Sequence, residues 1–326
     1  MSIDNSQKII DNIFSDQELR SVTIGFQGGE PTLIGIEFFT KFFEYVDLKK
    51  GKVNVNFAIQ TNGILINEQW VSVLKKYNVL VGLSLDGPAA THDSNRIDFG
   101  NKNTHQKVIY TAKVFQENDI QFNILTVVTN KSSKNIAKIY KYLTSNDFQY
   151  LQFIPCLTPL DYKVKNIRQV NELYYTYLSD LFKVWYEDLN NGKYVSVRWF
   201  DNIINMIMGA EPESCDMRGA CTCQNIIEAD GTTFTCDFFA VDEFIVGNAL
   251  EMSFEQMVYS QVSTQFIKRS MDHPQECKSC EIYKYCRNGC TRMRIDGKYM
   301  YCEPLKRFFR NYEADLKKAA FILKRR

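Results

Sequence analysis

An excess of charge of either sign is missing from this sequence. Lys and Arg together number 39 and Asp and Glu number 38, which gives a formal net charge of +1 over 326 residues. A strongly basic balance would favour nucleic acid or an anionic membrane as partner, and neither is expected here. Long hydrophobic runs are also missing, because no stretch of about 18 apolar residues occurs, so no membrane-spanning helix is predicted.

The amino terminus lacks the succession of basic, apolar and small residues that marks a signal peptide. The sequence therefore predicts a soluble protein of the cytoplasm, which is a reducing compartment. Cysteine is absent before Cys156, whereas nine of the ten cysteines fall between Cys215 and Cys302. Disulfides are rare in a reducing compartment, so this cluster of thiols indicates metal binding or catalysis.

Short runs rich in Val, Ile and Phe alternate with amphipathic stretches in the front half of the chain. The runs predict strands at Ser21–Gln27, Val53–Gln60, Val79–Asp86, Ile120–Thr129 and Tyr150–Pro155. Between them, apolar stripes with helical spacing start at Ile36 and at Ile136. This alternation predicts βαβ units and a parallel sheet, in the form of either an open doubly wound sheet or a barrel.

Turn signals follow three of the predicted strands: Gly28-Gly29-Glu30-Pro31, Thr61-Asn62-Gly63 and Asp86-Gly87-Pro88. The carboxyl ends of parallel strands form one face of the sheet, where ligands bind. We therefore expect the three turns to share a ligand-binding rim. The alternative is that Gly, Pro and Asn only punctuate loops.

The back half of the chain changes character. Residues from Arg168 to Met208 have helical spacing, Glu211 to Cys302 has little periodicity, and Pro304 to Arg326 is predicted to be a terminal helix. A segment that buries little apolar surface but carries many thiols is predicted to be stabilised by bound metal. The expected regions are a sheet-containing region 1–167, a helical connector 168–210, a cysteine-rich region 211–302 and a helix 303–326.

The nine cysteines of the back half follow short spacings. They read Cys215-x5-Cys221-x-Cys223-x12-Cys236 and Cys277-x2-Cys280-x5-Cys286-x3-Cys290-x11-Cys302. Thiolates in fours bind either a tetrahedral zinc ion or an iron–sulfur cluster, and spacing alone does not choose between them. Nine thiols make two sets of four and one spare, which we place at one of the close pair Cys221 and Cys223. We expect the spare and Cys156 to be small buried apolar residues.

Asp237 directly follows Cys236. If Cys236 holds a metal centre, the Asp237 carboxylate is fixed close to that centre. A carboxylate fixed in this way can serve as a general base. The alternative is that Asp237 only accepts local backbone hydrogen bonds.

Together these motifs resemble a known family. The resemblance is carried by the stretches Phe26–Thr32, Gln60–Gly63, Gly82–Pro88 and Cys215 through Phe238, and by the closing cysteine run. These stretches are similar to radical S-adenosylmethionine (SAM) enzymes with a SPASM domain, in particular the anaerobic sulfatase-maturating family. The resemblance implies an α/β fold: a partial (β/α)6 radical SAM barrel that lacks its first strand, then a SPASM domain with two auxiliary [4Fe–4S] clusters and a C-terminal helix. It implies oxidation of a Cys or Ser in a sulfatase polypeptide to Cα-formylglycine, with SAM as cofactor, a reduced ferredoxin or flavodoxin-type electron donor, and a monomer.

The resemblance also assigns residues. It makes Asp237 the catalytic base and Gln27 a lining residue of the peptide pocket. Gly28, Gly29 and Glu30 match the turn at the methionyl end of SAM, Ser84 and Arg96 match the positions facing its ribose and carboxylate, and Leu157 matches an apolar contact. The first cysteine set, for one cluster, is Cys215, Cys221, Cys236 and Cys290. The second cysteine set, for the other, is Cys277, Cys280, Cys286 and Cys302, and Cys223 is the spare.

One part of the family pattern is missing. Radical chemistry in this family depends on a third [4Fe–4S] cluster, held by a Cys-x3-Cys-x2-Cys loop after the first strand, and no such loop is present. We interpret the chain as truncated at its amino terminus, against the alternative of a protein that works without the radical cluster. As given, it is expected to bind up to two clusters, to cleave no SAM and to expose an unpaired sheet edge. Two other functions stay open: maturation of a different peptide, and a non-catalytic binding module with structural metal.

Overall fold

The computed structural model describes residues 1–160 and 164–325. Within that part, the chain divides into two compact units. The first unit comprises residues 1–83, 107–122 and 222–269, and the second comprises 84–106, 123–221 and 270–326. The expected regions 1–167 and 303–326 include residues 161–163 and 326, which lie outside the described residues.

A parallel sheet runs through the front half, and its strands follow chain order. In the described residues it has six strands: β1 Ser21–Phe26, β2 Asn54–Thr61, β3 Leu80–Ser84, β4 Phe122–Val128, β5 Tyr150–Pro155 and β6 Ser196–Val197. A doubly wound sheet reverses its strand order at a switch point, and this sheet does not, so its winding is that of a barrel. The predicted α/β class and the five predicted strands are confirmed. β6 was not predicted, because two residues are too few to set a pattern.

β1 lies at one end of this strand order. In the described residues its hydrogen-bonded neighbour is β2, with Phe26 opposite Ile59. The side chains of β1 alternate between exposed and half-buried, whereas β2 buries Phe57, Ile59 and Thr61. Among the described residues, β1 is therefore the outermost strand of this sheet on that side.

The helices that flank the strands bury apolar stripes. In the first unit, Phe39 and Phe43 are almost wholly buried, and their rings contact Trp70 and Phe57. Each such side chain contributes roughly 1.5–3 kcal/mol when it is taken out of water.

None of the helices in residues 1–160 and 164–325 has the length and apolarity needed to cross a bilayer. The helices are α1 Ile3–Phe14, α2 Ile36–Lys49, α3 Glu68–Lys76, α4 Ala89–His92, α5 His105–Glu117, α6 Asn130–Ser133, α7 Ile136–Ser145, α8 Ile167–Asn190, α9 Arg198–Ile207, α10 Phe254–Val258, α11 Gln261–Ser270, α12 Gln275–Lys278, α13 Tyr283–Cys286 and α14 Cys302–Lys324.

The predicted helical region from Arg168 to Met208 is interrupted. Helix α8 ends at Asn190, Gly192 follows with φ +83°, and β6 precedes α9. A left-handed glycine ends a helix without steric cost, which explains the break. The terminal helix α14 begins at Cys302, two residues before the predicted start at Pro304, because proline is tolerated in a first turn where its missing N–H has no partner to lose.

A small antiparallel sheet in the first unit packs against the N-terminal helix. Its strands are β7 Ile226–Ile227, β8 Thr232–Phe234 and β9 Ile245–Asn248. Asn12 on α1 donates hydrogen bonds of 2.9 Å to the carbonyl of Ala249 and 2.7 Å to that of Met252, and Ile9 packs against Val246. These contacts anchor the segment that carries Asp237 to the beginning of the chain. The remaining short strands are β10 Arg294–Ile295 and β11 Lys298–Tyr299.

Candidate functional site

Asp237 accepts hydrogen bonds from two directions. The side-chain amide of Gln27, the residue after β1, donates a 2.9 Å bond to its Oδ2. Its Oδ1 accepts from the backbone N–H of Phe238 at 2.9 Å and from the thiol of Cys236 at 3.3 Å. Asp237 is half-buried and Gln27 is exposed. The carboxylate is therefore fixed locally and by a residue 210 positions away, and it stays accessible to a ligand.

Glu30 joins the first two turns at the carboxyl end of the sheet. Its Oε1 accepts from the N–H of Thr32 at 3.1 Å and from the hydroxyl of Thr61 at 2.7 Å, and its Oε2 accepts from the N–H of Asn62 at 2.7 Å. The Thr32 hydroxyl donates a further bond of 2.5 Å to Oε1. The turns after β1 and β2 are thus held together by one carboxylate. The third turn, at Asp86, belongs to the second unit.

The backbone at Gly28 and Gly29 borders open space. A Cβ placed on either glycine meets no atom of the described residues within 4 Å, and Gly28 has a φ of +125°. Two glycines therefore leave the main chain accessible to a ligand, beside the carboxylate of Glu30.

Arg96 is held by a buried carboxylate in the second unit. Its Nε donates a 2.6 Å bond to Oδ2 of Asp86, and its Nη2 donates a 3.2 Å bond to Oδ1. Asp86 also accepts from the N–H of Val127 at 2.9 Å, and its side chain is 4% exposed against 26% for Arg96. A bidentate pair of this kind fixes the plane of the guanidinium. In the same unit, Ser84 ends β3 and Leu157 lies half-buried after β5.

His92 extends this network as a neutral imidazole. Its Nδ1 accepts from the N–H of Asp86 at 3.2 Å, so Nε2 carries the proton and donates to the hydroxyl of Thr104 at 3.0 Å. That hydroxyl in turn donates to the carbonyl of Arg96 at 2.8 Å. Burial, and secondly the positive charge of Arg96, lower the pKa of His92 to about 4. The imidazole therefore supports both Asp86 and Arg96 without adding charge.

The second cysteine set gathers in the second unit. The pKa of Cys286 is raised to about 12, chiefly by burial, with Cys302, Cys277 and Cys280 acting electrostatically in the same direction. Cys286 is therefore coupled electrostatically to the other three members of its set. Cys277 lies on α12, Cys286 ends α13 and Cys302 opens α14, which places three of the four at helix positions.

Cys290 belongs with a different group. Burial raises its pKa to about 12, and the next charges that raise it are those of Cys221 and Cys215. The sulfur of Cys221 also lies 3.6 Å from the hydroxyl of Thr291. Cys290 is thus grouped with cysteines some 70 positions earlier, although Cys286 precedes it by only four. Cys236, the remaining member of the first set, is described with Asp237 in the first unit.

The other two cysteines have different surroundings. Cys223 donates a weak hydrogen bond to Oδ1 of Asn225 at 3.4 Å and packs, partly buried, against the apolar cluster that contains Ile9. Cys156 is exposed, so its predicted burial is wrong. The reason is its position: it directly follows β5, and its N–H bonds to the carbonyl of Val128 at the carboxyl end of the sheet, where the ligand face is open.

Comparisons with known proteins identify the family. Residues 1–143 match the radical SAM superfamily, and residues 215–281 match SPASM, described as an iron–sulfur cluster-binding domain. A cysteine-type anaerobic sulfatase-maturating enzyme of Clostridium novyi (strain NT) is 38% identical over 333 residues, which cover 99% of this chain and 88% of the relative. The chain belongs to the anaerobic sulfatase-maturating enzymes.

Two further comparisons place it within this family. A solved structure of native anSMEcpe with bound AdoMet and the peptide Cp18Cys has a TM-score of 0.94 and 36% identity, covering 99% of this chain and 92% of that one. A serine-type anaerobic sulfatase-maturating enzyme of Bacteroides thetaiotaomicron is 24% identical over 312 residues, which cover 90% of this chain and 75% of the relative. The fold implied by the resemblance is confirmed, and the family is one of radical SAM oxidoreductases that act on a polypeptide.

The described residues fit two of the family's three kinds of cofactor site. The open space beside the backbone at Gly28 and Gly29 leaves room for SAM, and the thiols of the two sets are soft donors suited to iron–sulfur clusters. Across residues 1–160 and 164–325, no three His, Cys, Asp or Glu side chains converge on a point that could hold a single metal ion. The fit fails for the radical cluster, because no cysteine precedes Cys156, and no step through that cluster follows from this sequence.

Sequence patterns missed the residues that hold the predicted ligands in place. Asp86, Thr61 and Asn62 stand in turn motifs that were recognised, but the motifs do not say which side chain each one contacts. The available signal was their position directly after buried strands, where a polar residue finds a partner on the next turn. Arg294, on the short strand β10, carries no signal of this kind.

Proposed function

We propose that this protein, in a form that carries the three-cysteine loop, oxidises a cysteine of a sulfatase polypeptide to Cα-formylglycine. The observation that carries this is the bond between Gln27 and Asp237, which places a carboxylate beside the glycine turn after β1. Identity of 38% to a cysteine-type relative against 24% to a serine-type one supports Cys over Ser as the target. A SPASM enzyme that joins other peptides by thioether bonds would be a different reaction on the same scaffold.

The residues of this chain supply positioning and proton transfer. Conversion of a cysteine side chain to an aldehyde takes up one water and releases one H2S, two electrons and two protons. When bound, SAM would take up these two electrons in being cleaved to methionine and 5′-deoxyadenosine, and the iron–sulfur clusters would carry electrons one at a time. Asp237 takes the proton of the substrate thiol at its carboxylate, which a general base must reach by hydrogen bonding. Gln27 holds Oδ2 of that carboxylate and lines the peptide pocket.

The cofactor ligands follow the same proposal. Gly28, Gly29 and Glu30 hold the methionyl end of SAM, Ser84 and Arg96 serve its ribose and carboxylate, and Leu157 supplies an apolar contact. The first cysteine set binds one auxiliary [4Fe–4S] cluster and the second set binds the other. The grouping of Cys290 with Cys221 and Cys215, and of Cys286 with Cys277, Cys280 and Cys302, supports this interleaved assignment.

Partners and compartment are part of the proposal. Cleavage of SAM needs an electron from outside the protein, and a reduced ferredoxin or flavodoxin-type protein is the proposed donor. A cluster of metal-binding cysteines is typical of a reducing compartment, and we place the protein in the cytoplasm. A monomeric state stays a prediction of the resemblance.

Cluster content tests the ligand assignment. The chain is reconstituted with iron and sulfide under anaerobic conditions, and both elements are counted per chain. The variant Cys280→Ala should lose about half of the iron, because one of two four-thiolate sites is broken. The variant Cys223→Ala is the matched control and should keep all of it. Zinc in place of iron, or equal loss in both variants, would contradict the assignment.

Turnover tests the reaction and the base. A sulfatase peptide with a C-x-P-x-R motif is incubated with SAM and reductant, and the aldehyde is trapped with a hydrazide. The assay needs a protein that carries a three-cysteine loop, and the printed sequence is the control without it. In the loop-bearing protein, Asp237→Asn should slow aldehyde formation by about 10²–10⁴-fold, the usual contribution of a general base. Unchanged aldehyde formation would remove Asp237 from this role, and a crosslinked product that retains sulfur would favour the other reaction.

A further inference from the structure

Arg294 occupies a position shared by the two cysteine sets. It lies on β10, four residues after Cys290, and is half-buried. Its Nε donates to the carbonyl of Asn288 at 3.0 Å, and its Nη2 donates to that of Gly289 at 3.1 Å. Both carbonyls belong to the short segment between Cys286 and Cys290. This is the segment where the chain passes from the second set to the first.

The same guanidinium reaches the loop that carries Cys221. Its Nη1 donates to the carbonyl of Ser270 at 2.8 Å, and the hydroxyl of Ser270 accepts from the N–H of Cys221 at 2.8 Å. Asn288, whose φ is +66°, is held from the other side, because its Oδ1 accepts from the N–H of Tyr299 at 2.9 Å. Arg294 therefore ties together the backbone next to both sets.

The charge of Arg294 is not neutralised by a neighbour. All of its hydrogen bonds in the described residues go to backbone carbonyls, and no carboxylate among them forms an ion pair with it. Burial lowers the pKa of Arg294, and the charges of Cys221, Cys290, Cys277 and Cys286 act in the opposite direction. A guanidinium remains protonated in proteins, so a full positive charge lies against the backbone next to both sets.

We propose that Arg294 is a positioning residue whose charge raises the reduction potentials of both auxiliary clusters. The inference rests on the ligand assignment of the proposed function. Each one-electron reduction, with the electron supplied by an electrode or a chemical reductant, adds one negative charge to a cluster. A nearby cation stabilises that added charge, and net charge around a cluster is one of the factors that set its potential. Because one cation faces both sets, the two potentials should depend on it together.

The test compares three variants of the full chain, reconstituted anaerobically with iron and sulfide. Arg294→Gln removes the charge, Arg294→Lys keeps the charge but loses the fork of hydrogen bonds, and Arg307→Gln removes a charge elsewhere. Arg307 is a matched control, because its guanidinium pairs with Glu172 at 3.0 Å and lies over the ring of Tyr175. Iron and sulfide per chain are counted first, and the cluster potentials are then measured by redox titration followed by electron paramagnetic resonance.

We expect both potentials to shift to lower values in Arg294→Gln and to stay close to the original in Arg294→Lys and Arg307→Gln. If Arg294→Gln fails to assemble clusters, then assembly and unshifted potentials in Arg294→Lys support the charge-based role. Three results would overturn the inference. The first is full cluster content with unshifted potentials in Arg294→Gln, and the second is a shift in the potential of one cluster alone. The third is an equal shift in potential, or an equal loss of clusters, in Arg294→Gln and Arg294→Lys. An unsubstituted chain that takes up no iron and sulfide would overturn the ligand assignment itself, and this inference with it.

Discussion

Gln27 and Asp237 are 210 positions apart in the sequence and are joined by a hydrogen bond of 2.9 Å between Nε2 and Oδ2. One partner follows the first strand of the parallel sheet, and the other follows a cysteine of the first set. The bond therefore couples the turn that is expected to meet SAM to the carboxylate that is expected to take the substrate proton. Both residues lie in the first unit, whose small sheet is anchored to helix α1.

Replacement of Gln27 by Ala should slow turnover more than it weakens peptide binding. The amide fixes one oxygen of Asp237, and a base misplaced by about 1 Å can cost about 10²-fold in rate. We expect kcat for the peptide to fall by about 10- to 100-fold in a turnover-competent form, with a smaller change in KM. Gln17→Ala is the control, because that side chain is exposed and, within the described part of the chain, donates a hydrogen bond to the nearby carbonyl of Ser15. A rise in KM with unchanged kcat would show that Gln27 only binds peptide.

Gly29→Ala should weaken SAM binding while leaving the fold intact. A Cβ at Gly29 meets no atom of the described residues within 4 Å, so the substitution does not strain the protein itself. The added methyl group takes up space beside the main chain, where SAM is proposed to bind. We therefore expect the affinity for SAM, measured by calorimetry, to fall by about tenfold or more, equal to about 1.4 kcal/mol. Gly25→Ala, on β1 and equally open, is the matched control. Equal affinity in both variants would place SAM elsewhere.

Sequence patterns gave the sheet and the ligand types, but not how the ligands are held. Five strands were predictable because each carries enough Val, Ile and Phe to form a run, whereas Ser196–Val197 forms a strand only through its neighbour β5. Cys156 was expected to be buried from its residue type, and its place past the end of a strand decided otherwise. Side-chain pairs such as Glu30 with Thr61 join residues 31 positions apart, which no local period encodes.

Asp86→Asn should destabilise the second unit and weaken SAM binding together. The amide removes the charge that compensates Arg96, and its NH2 group cannot accept the bonds that two carboxylate oxygens accept. Breaking a buried ion pair by removing one partner costs about 3–5 kcal/mol, and we expect about 2–3 kcal/mol here because Arg96 is partly exposed. Urea unfolding measures the first effect and calorimetry the second.

The control for this prediction is Asp180→Asn. Asp180 pairs with Lys183 one helical turn away at 3.0 Å, and both side chains are exposed. Exposed pairs contribute little, so we expect a change within about 0.5 kcal/mol. Similar decreases in the free energy of unfolding in the two variants would show that the Asp86–Arg96 pair stabilises the protein no more than an exposed pair does.

His92 should make stability fall as the pH is lowered below neutrality. Its pKa is lowered to about 4 in the folded protein, from 6.5 in an unfolded chain, chiefly by burial. Between these two values the unfolded chain binds a proton that the folded protein does not bind. Stability is therefore complete above about pH 6.5 and is lost as the pH falls towards 4, by at most about 3 kcal/mol from this group.

Replacement of His92 by Gln should remove this dependence. A glutamine can accept from the N–H of Asp86 and donate to Thr104 as the neutral imidazole does, and it has no proton to gain. The charged and titratable groups around His92 are Arg96, Asp86, His105 and Asp93, so the difference between the two proteins isolates the imidazole. The free energy of unfolding, measured with urea between about pH 5 and about pH 7.5, should depend more steeply on pH in the unsubstituted protein. Equal slopes, or an NMR titration in which all three histidines become charged near pH 6.5, would mean that His92 is not the neutral buried link between Asp86 and Arg96.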